Sequence, residues 1–260
     1  MSQMTAVDVV YNVEGNGPPL YMVHGIGHRK EGWQRMVECL KNDFTCVSYD
    51  LRGHGMSPIP ATPYTLEQLI DDLEGVRRRL GHEKIHIVGH SLGGMIGPGY
   101  ARAYPERTLS VALLSTAAGR SDEDRAKLAG VLTALKTDGI AETLGTLIDR
   151  WFTDDFCANR PEVVKQRLQQ VIDTPADVFL SVFDIYASTE MGPWLQEIDA
   201  PCLVLTGEFD GGCNPRLNQF IDSQLKHSEL VILKGYKHDI LNEASELVAQ
   251  HLAKFLHNLI

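Results

Sequence analysis

Long apolar runs are missing from this 260-residue sequence, in which no stretch approaches the roughly 18 apolar residues that a membrane-spanning helix requires. Residues 1–5 also lack a basic segment followed by an apolar core, so we expect no signal peptide. No linker-like composition, internal repeat or low-complexity tract divides the chain. These absences favour one large globular domain that does not enter a membrane.

Positive charge and paired cysteines are also scarce. The chain has 24 Lys and Arg residues against 34 Asp and Glu residues, and its net charge of −10 argues against nucleic acid or an anionic membrane as a partner. The cysteines are odd in number, scattered and without a C-x-x-C pair: Cys39, Cys46, Cys157, Cys202 and Cys213. We therefore expect reduced thiols in a cytoplasmic protein, with neither a disulfide framework nor a metal site.

The sequence does contain a regular alternation of apolar, β-branched segments with amphipathic ones. The predicted strands are residues 7–13, 20–23, 44–49, 84–88, 109–115, 202–206 and 230–233. The predicted helices include residues 32–40, 66–80, 95–103, 215–225 and 243–259. This alternation predicts an α/β fold with a mostly parallel central sheet flanked by helices, in which ligands bind beyond the carboxyl ends of the strands.

Residues 120–194 interrupt the alternation, because they carry only helical patterns. Ser121 precedes an acidic first turn, and Pro161 and Pro175 each suit the first turn of a helix. We expect an all-helical lid here, inserted into a core domain that consists of residues 1–119 and 195–260.

The most informative short segment is Gly-His-Ser-Leu-Gly at residues 89–93, directly after a predicted strand and before a predicted helix. A G-x-S-x-G sequence in that setting is typical of a nucleophile elbow, which holds the serine hydroxyl above the sheet. The turn strains the serine backbone and brings strand and helix together, so glycines are needed on both sides. Ser91 is therefore the predicted nucleophile, and an N-cap serine in an ordinary loop is the alternative.

A serine hydroxyl needs a base within hydrogen-bond reach and an acid that orients the base. Of the ten histidines, His238 lies on a loop between a late strand and the last helix, at the expected catalytic edge of the sheet. Asp210 follows the predicted strand 202–206 and precedes a helix start, with Glu208 as the competing carboxylate. A structural turn before two glycines is the alternative role of Asp210.

A site for the negative charge of an acyl-transfer intermediate is predicted from backbone groups. The N–H groups of Ile26 and of Leu92, the residue after the nucleophile, are expected to converge beside Ser91. The segment 24–27, His-Gly-Ile-Gly, alternatively forms an ordinary turn, and it lacks the full pattern of a phosphate-binding loop.

These segments resemble the α/β-hydrolase superfamily over essentially the whole chain. Five markers occur in the expected order, at residues 24–27, 50–57, 89–93, 207–210 and 237–243. The order Ser91, Asp210, His238 also matches that of such hydrolases. The resemblance implies an α/β-hydrolase fold with the lid between the sixth and seventh strands, and a structural role for Asp50.

Within the superfamily, residues 113–118 and 150–153 make the chain most similar to the 3-oxoadipate enol-lactonase-like branch. The pair His24–Gly25 departs from a pattern frequent in that branch. The resemblance implies a hydrolase that cleaves a small carboxylic ester or enol-lactone through an acyl-enzyme on Ser91, without a cofactor. The alternatives are a C–C bond hydrolase or cofactor-free perhydrolase on the same fold, and a non-catalytic ligand-binding protein.

Three arginines of the predicted lid lie near aromatic residues: Arg120, Arg150 and Arg160. A guanidinium binds a carboxylate through two parallel hydrogen bonds, which suits an acidic lactone. The alternative is that all three are solvated surface charges. We predict Arg150 with its neighbour Trp151 as the first choice for substrate contact, and His24 and Gly25 as further contacts.

Overall fold

A computed structural model describes residues 6–259 of the chain, so residues 1–5, considered above for a signal peptide, lie outside the described residues. Seven strands form one sheet: β1 Tyr11–Glu14, β2 Pro19–Val23, β3 Thr45–Tyr49, β4 Ile85–His90, β5 Thr108–Leu114, β6 Cys202–Gly207 and β7 Ser228–Leu233. Their order is β1-β3-β2-β4-β5-β6-β7, with β1 antiparallel to β3 and the other neighbours parallel. The prediction of a mostly parallel central sheet is confirmed.

Helices cover both faces of this sheet. The α1 helix (Gln34–Leu40) and the α11 helix (Ser245–His257) bury their apolar sides against one face. The other face is covered by α2 (Leu66–Leu80), α3 (Gly93–Ala103) and α9 (Pro215–Gln224). Successive side chains of a strand point to opposite faces, so the apolar run of β2 contributes to both cores.

The remaining helices are α4 Asp122–Thr137, α5 Ile140–Trp151, α6 Asp154–Asn159, α7 Pro161–Ile172, α8 Ala176–Ser188 and α10 Ile240–Glu243. Helices α4 to α8 lie within residues 120–194, here named the helical insertion. The insertion follows β5 and precedes β6, so its predicted place between the sixth and seventh strands is wrong. Within the described residues five strands precede the insertion, whereas that prediction requires six.

The helical insertion has a small apolar core of its own, formed by Leu135, Leu147, Val171, Phe179 and Phe183. Pro161 is the first residue of α7, as its fixed φ and missing N–H predict, whereas Pro175 directly precedes α8 instead of lying in its first turn. None of the helices within residues 6–259 combines the length and apolarity needed to cross a membrane.

The loop at residues 50–57 is held by buried polar contacts, in agreement with the structural role implied for Asp50. The Asp50 carboxylate accepts hydrogen bonds from Lys30 N at 2.9 Å and from Met56 N at 3.1 Å. Arg52 donates through Nε and Nη2 to the carboxylate of Asp72 on α2, at 2.7 and 2.8 Å. Burial raises the pKa of Asp72, although the Arg52 charge opposes that rise.

We expect Arg52→Met to destabilise the protein by about 3–5 kcal/mol, because the Asp72 carboxylate then stays buried without its counter-ion. Urea unfolding at neutral pH measures this loss as a lower midpoint at an unchanged slope. Arg35 is exposed, so the control Arg35→Met should change stability by no more than about 0.5 kcal/mol. Equal stabilities of the two variants would contradict the structural role of the Arg52–Asp72 ion pair.

Candidate active site

Ser91 lies at a strained turn between β4 and α3. Its φ is 56°, in the left-handed region that non-glycine residues rarely adopt. A Cβ at Gly89 would lie 2.0 Å from the Gly93 carbonyl oxygen, and a Cβ at Gly93 would lie 2.0 Å from the Val23 carbonyl oxygen. Both flanking glycines are therefore sterically required, because strand and helix come too close together for a Cβ atom, as predicted from the sequence.

Asp210 and His238 are joined by a hydrogen bond of 2.7 Å between Asp210 Oδ2 and His238 Nδ1. The other carboxylate oxygen of Asp210 accepts hydrogen bonds from Gly212 N at 3.0 Å and from Cys213 N at 2.7 Å. Asp210 is buried, and both of its oxygens are fixed by these contacts. The competing carboxylate of Glu208 is exposed and bonds to Gly235 N at 3.0 Å.

The charges of this pair stabilise each other. Burial alone raises the pKa of the Asp210 carboxyl, but the His238 charge and three hydrogen bonds hold that pKa below its usual range. Burial likewise favours the neutral imidazole of His238, yet the neighbouring Asp210 raises the pKa of His238 well above its ordinary value. The carboxylate therefore favours the imidazolium that forms when His238 accepts a proton.

The peptide N–H groups of Ile26 and Leu92 are free to bind a ligand, since within residues 6–259 neither has a protein hydrogen-bond acceptor. The carbonyl of the peptide unit that carries the Ile26 N–H belongs to Gly25. This carbonyl accepts hydrogen bonds from His28 N at 3.2 Å and from His24 Nδ1 at 2.8 Å. A trans peptide points its N–H and C=O in opposite directions, so both bonds orient the Ile26 N–H.

His24 is a backbone-orienting residue, and the predicted substrate contact does not fit its position. It is fully buried and is absent from the residues that line the cavity at Ser91. Its Nε2 accepts a hydrogen bond from Leu51 N at 2.9 Å, which leaves the proton on Nδ1 for the Gly25 carbonyl. Burial lowers the pKa of His24 to about 3, so the ring remains neutral in this role.

A cavity of about 150 Å³ lies at the carboxyl edge of the sheet. Ser91 and His238 line it together with Gly25 and Ile26, so the structure brings these predicted residues to one place. The helical insertion supplies the apolar wall: Leu128, Val131, Leu147, Phe179 and Phe183. A cavity that combines an apolar wall with convergent polar groups is typical of a small-molecule site.

The three arginines considered above differ in their surroundings. Arg160 is half-buried, its guanidinium pairs with Glu162 at 2.7 Å, and it does not line the cavity. Arg150 lines the cavity beside Trp151 but is also exposed to solvent. Arg120 lines the cavity and is only 6% exposed.

The guanidinium of Arg120 is incompletely bonded. Its Nη1 donates to the Thr189 carbonyl at 2.9 Å, and its Cζ lies 4.6 Å from the centre of the Tyr186 ring. Its Nη2 is buried and, among the described residues, has no hydrogen-bond partner. A buried charged donor without a partner is costly, so this nitrogen is the strongest sign of an anionic ligand in the cavity.

Arg167 of α7, which is not among the residues predicted from the sequence, also lines the cavity and is 6% exposed. Its Nη1 donates to the Gly27 carbonyl at 2.7 Å, and its Nη2 donates to the Ile26 carbonyl at 3.0 Å. A signal was available in the sequence: Arg167 follows Val164 by three residues and precedes Val171 by four, which places a charge on the apolar face of the helix.

Asp210, Cys213 and His238 offer possible metal-ligand atoms within 4.8 Å of one another. Their polar atoms already bond protein groups, since Cys213 Sγ lies 3.1 Å from the hydroxyl of Tyr186 and Asp210 bonds His238. A metal ion would have to displace the Asp210–His238 hydrogen bond. The arrangement therefore fits a carboxylate–imidazole pair better than a metal centre.

A comparison with known families agrees with this geometry. The family described as the alpha/beta hydrolase fold matches residues 18–244, which include the strands from β2 to β7 together with Ser91, Asp210 and His238. The chain belongs to the α/β-hydrolase family. The predicted fold and the predicted hydrolase class are thereby confirmed.

Individual relatives are similar over nearly their whole length. The chain is 28% identical to 3-oxoadipate enol-lactonase 2 of Acinetobacter baylyi, over 89% of this chain and 88% of the relative. It superposes on the enol-lactonase from Burkholderia xenovorans with a TM-score of 0.90 and 25% identity, over 98% and 99% of the two chains. A malate-bound esterase from Thermogutta terrifontis gives a TM-score of 0.88 at 26% identity, over 97% and 94%. These similarities agree with the predicted enol-lactonase-like branch.

We expect Asp210→Asn to lower the pKa of His238, because burial of the ring persists while the negative charge that stabilises the imidazolium is removed. NMR titration of the His238 ring measures this pKa directly. Glu208→Gln is the matched control and should leave it unchanged, since Glu208 is exposed and bonds Gly235. The reverse result would show that Glu208, and not Asp210, is the partner of His238.

Proposed function

We propose that this protein is a serine hydrolase that cleaves a carboxylic ester or lactone through an acyl-enzyme on Ser91. The observation that carries the proposal is the 2.7 Å bond between Asp210 and His238 in the same cavity as the strained Ser91. The names of two similar proteins, an enol-lactonase and an esterase, support the same class of bond.

In the proposed mechanism His238 is the general base. Its Nδ1 is bonded to Asp210, so Nε2 is the nitrogen that accepts the Ser91 proton as Oγ attacks the carbonyl carbon. The N–H groups of Ile26 and Leu92 then stabilise the oxyanion. His238 returns the proton to the leaving alcohol, and a water molecule deprotonated at the same nitrogen releases the acyl group. In a lactone, the alcohol and the acid leave as one molecule.

The alternatives differ in what they require of this site. A C–C bond hydrolase and a cofactor-free perhydrolase would use the same serine, whereas a non-catalytic binding protein needs neither an activated hydroxyl nor free donors beside it. The unpartnered N–H groups of Ile26 and Leu92 favour an enzyme over such a binding protein.

We also propose that the helical insertion serves as the lid over a core of residues 1–119 and 195–260. Its apolar side chains form the wall that faces Ser91, so its shape limits which acyl groups fit. A closed apolar wall also excludes water, which strengthens the hydrogen bonds to the oxyanion.

The substrate in this proposal carries a carboxylate that Arg120 binds. The buried, unpartnered Nη2 of Arg120 supports this view, and it displaces Arg150 as the first choice because Arg150 is exposed. The similar proteins named for 3-oxoadipate and crystallised with malate point to acidic ligands as well.

We expect one equivalent of an activated fluorophosphonate to label Ser91, as identified by mass spectrometry of the peptide. Ser91→Ala should abolish labelling and lower kcat by about 10³- to 10⁶-fold, and adding His238→Ala should cost little more, because the two side chains act as one unit. Ser115 also has a positive φ, of 44°, so Ser115→Ala is a matched control that should keep the label. Near-normal turnover by Ser91→Ala would exclude the acyl-enzyme.

We expect Arg120→Met to lower kcat/KM about 30-fold on a carboxylated lactone and little on a neutral ester of similar size. That selective loss corresponds to about 2 kcal/mol, the value of a charge-assisted hydrogen bond. Arg160→Met is the matched control, since Arg160 belongs to the same insertion, does not line the cavity and pairs with Glu162. Arg150→Met should have an intermediate or smaller effect. Equal losses of Arg120→Met on both substrates would point to a general esterase.

A further inference from the structure

Arg167 hydrogen-bonds the helical insertion to the turn that carries the Ile26 N–H. Its two Nη atoms bond the successive carbonyl oxygens of Ile26 and Gly27, at 3.0 and 2.7 Å. The Gly27 N–H, which belongs to the same peptide unit as the Ile26 carbonyl, donates a hydrogen bond to His54 Nε2 at 3.1 Å. Both the C=O and the N–H of the Ile26–Gly27 peptide unit are therefore hydrogen-bonded. These bonds fix the backbone on the C-terminal side of the Ile26 N–H.

The same side chain also reaches the loop of the general base. Its Nε lies 3.5 Å from Oδ2 of Asp239, the residue directly after His238. Its guanidinium stacks on Trp151 at 4.6 Å, and the Trp151 carbonyl accepts a hydrogen bond from Asp239 N at 3.0 Å. Arg167 thus joins the Ile26 turn to the His238 loop across one edge of the cavity.

Only arginine suits these contacts. Its planar fork donates to two neighbouring carbonyls at once, whereas a lysine ammonium is a single point donor on a flexible chain. Burial lowers the pKa of Arg167 to about 10, with Asp239 opposing that shift, so the guanidinium stays charged at neutral pH. Unlike Arg120, it has both Nη atoms bonded to protein carbonyls, which leaves it less suited to bind substrate.

We propose that Arg167 is a positioning residue for the hydrolysis, which fixes the Ile26 N–H relative to His238 without touching the reacting atoms. This inference rests on the proposed function of the site. It makes the helical insertion part of the catalytic apparatus as well as a wall of the cavity. A loss of alignment at Ile26 weakens a hydrogen bond that forms in full only with the oxyanion, so the effect should fall on kcat.

The test uses a neutral ester, so that substrate charge plays no part. We expect Arg167→Met to lower kcat about 10²-fold with KM changed less than about threefold, comparable to the loss of one oxyanion donor. Arg167→Lys should recover little of this loss, because one ammonium does not replace the fork. Lys165→Met on the exposed side of the same helix is the matched control and should retain full activity.

Two further measurements separate positioning from mere stability. Arg167→Met leaves Asp239 buried without its partner, so Arg167→Met/Asp239→Asn, which removes the stranded charge, should regain thermal stability but not kcat. Added methylguanidinium should restore part of the kcat of Arg167→Ala at concentrations that leave its melting temperature unchanged. Recovery of kcat together with stability in the double variant would overturn the proposal.

The fluorophosphonate label distinguishes failure of this inference from failure of the proposed function. We expect Arg167→Met to be labelled at Ser91 to one equivalent but more slowly than the unmodified protein. Unchanged labelling rate and unchanged kcat in a folded Arg167→Met would overturn the positioning role while the serine mechanism stands. A selective rise in KM for carboxylated substrates would also overturn it, since Arg167 would then bind substrate. An unlabelled Ser91 in the unmodified protein would instead reject the proposed function.

Discussion

The close approach of three backbone segments around Ser91 is the constraint on which the rest of the site depends. The left-handed φ of Ser91 lets β4 reverse into α3, and Gly93 then packs against the carbonyl at the end of β2. Any side chain at Gly93 would separate α3 from β2. Because β2 continues directly into residues 24–27, the same contact brings the Gly25–Ile26 peptide beside the serine, where a Cβ on Gly25 would lie 3.0 Å from Ser91 Cβ. The positions of the proposed nucleophile and of the proposed oxyanion donor at Ile26 therefore depend on the same close backbone contact.

The two buried arginines of the cavity, Arg167 and Arg120, differ in which of their groups have partners within the protein. Arg167 donates through both Nη atoms to backbone carbonyls, and its Nε, which is buried without a hydrogen-bond partner among the described residues, lies 3.5 Å from the Asp239 carboxylate. Arg120 has one carbonyl and an aromatic face, and one nitrogen remains unpartnered among the described residues. Burying a charged donor without a hydrogen-bond partner is unfavourable unless a ligand accepts that hydrogen bond. This difference is why we propose a positioning role for Arg167 and substrate binding for Arg120.

The features that were predicted well depend on short sequence patterns or on the order of the elements along the chain. Helix α2 has the predicted bounds, since Thr65 and Gln68 form a capping box and Gly81 ends the helix at a φ of 71°. The strained turn at Ser91 was predicted from its flanking glycines, and the placement of Asp210 and His238 after successive parallel strands brings them to one edge, where they bond each other. The predicted single helix 243–259 instead breaks at Ala244, whose φ of −135° is not helical.

The roles that escaped prediction depend on contacts between distant segments. Arg167 and the carbonyl that it bonds are 140 residues apart, and no local pattern reports such a contact. The sequence did not reveal that Arg120 is buried and Arg150 is exposed, because their relative burial follows from how α4, α5 and α8 pack, which helical periodicity leaves undetermined. His24 was expected to contact the substrate. Its Nε2 instead accepts a hydrogen bond from the Leu51 N–H, which lies on a different segment of the chain.

The contacts between the helical insertion and the core also bear on how such enzymes diversify. Trp151 and Arg167 anchor α5 and α7 to the His238 loop and the Ile26 turn, whereas α4 buries little of its surface. Recombination that exchanges the whole insertion for that of a relative would remove these anchors along with the pocket wall. Variation confined to α4 would alter the pocket alone. New substrate ranges are therefore more accessible through drift in α4 than through shuffling of the complete segment.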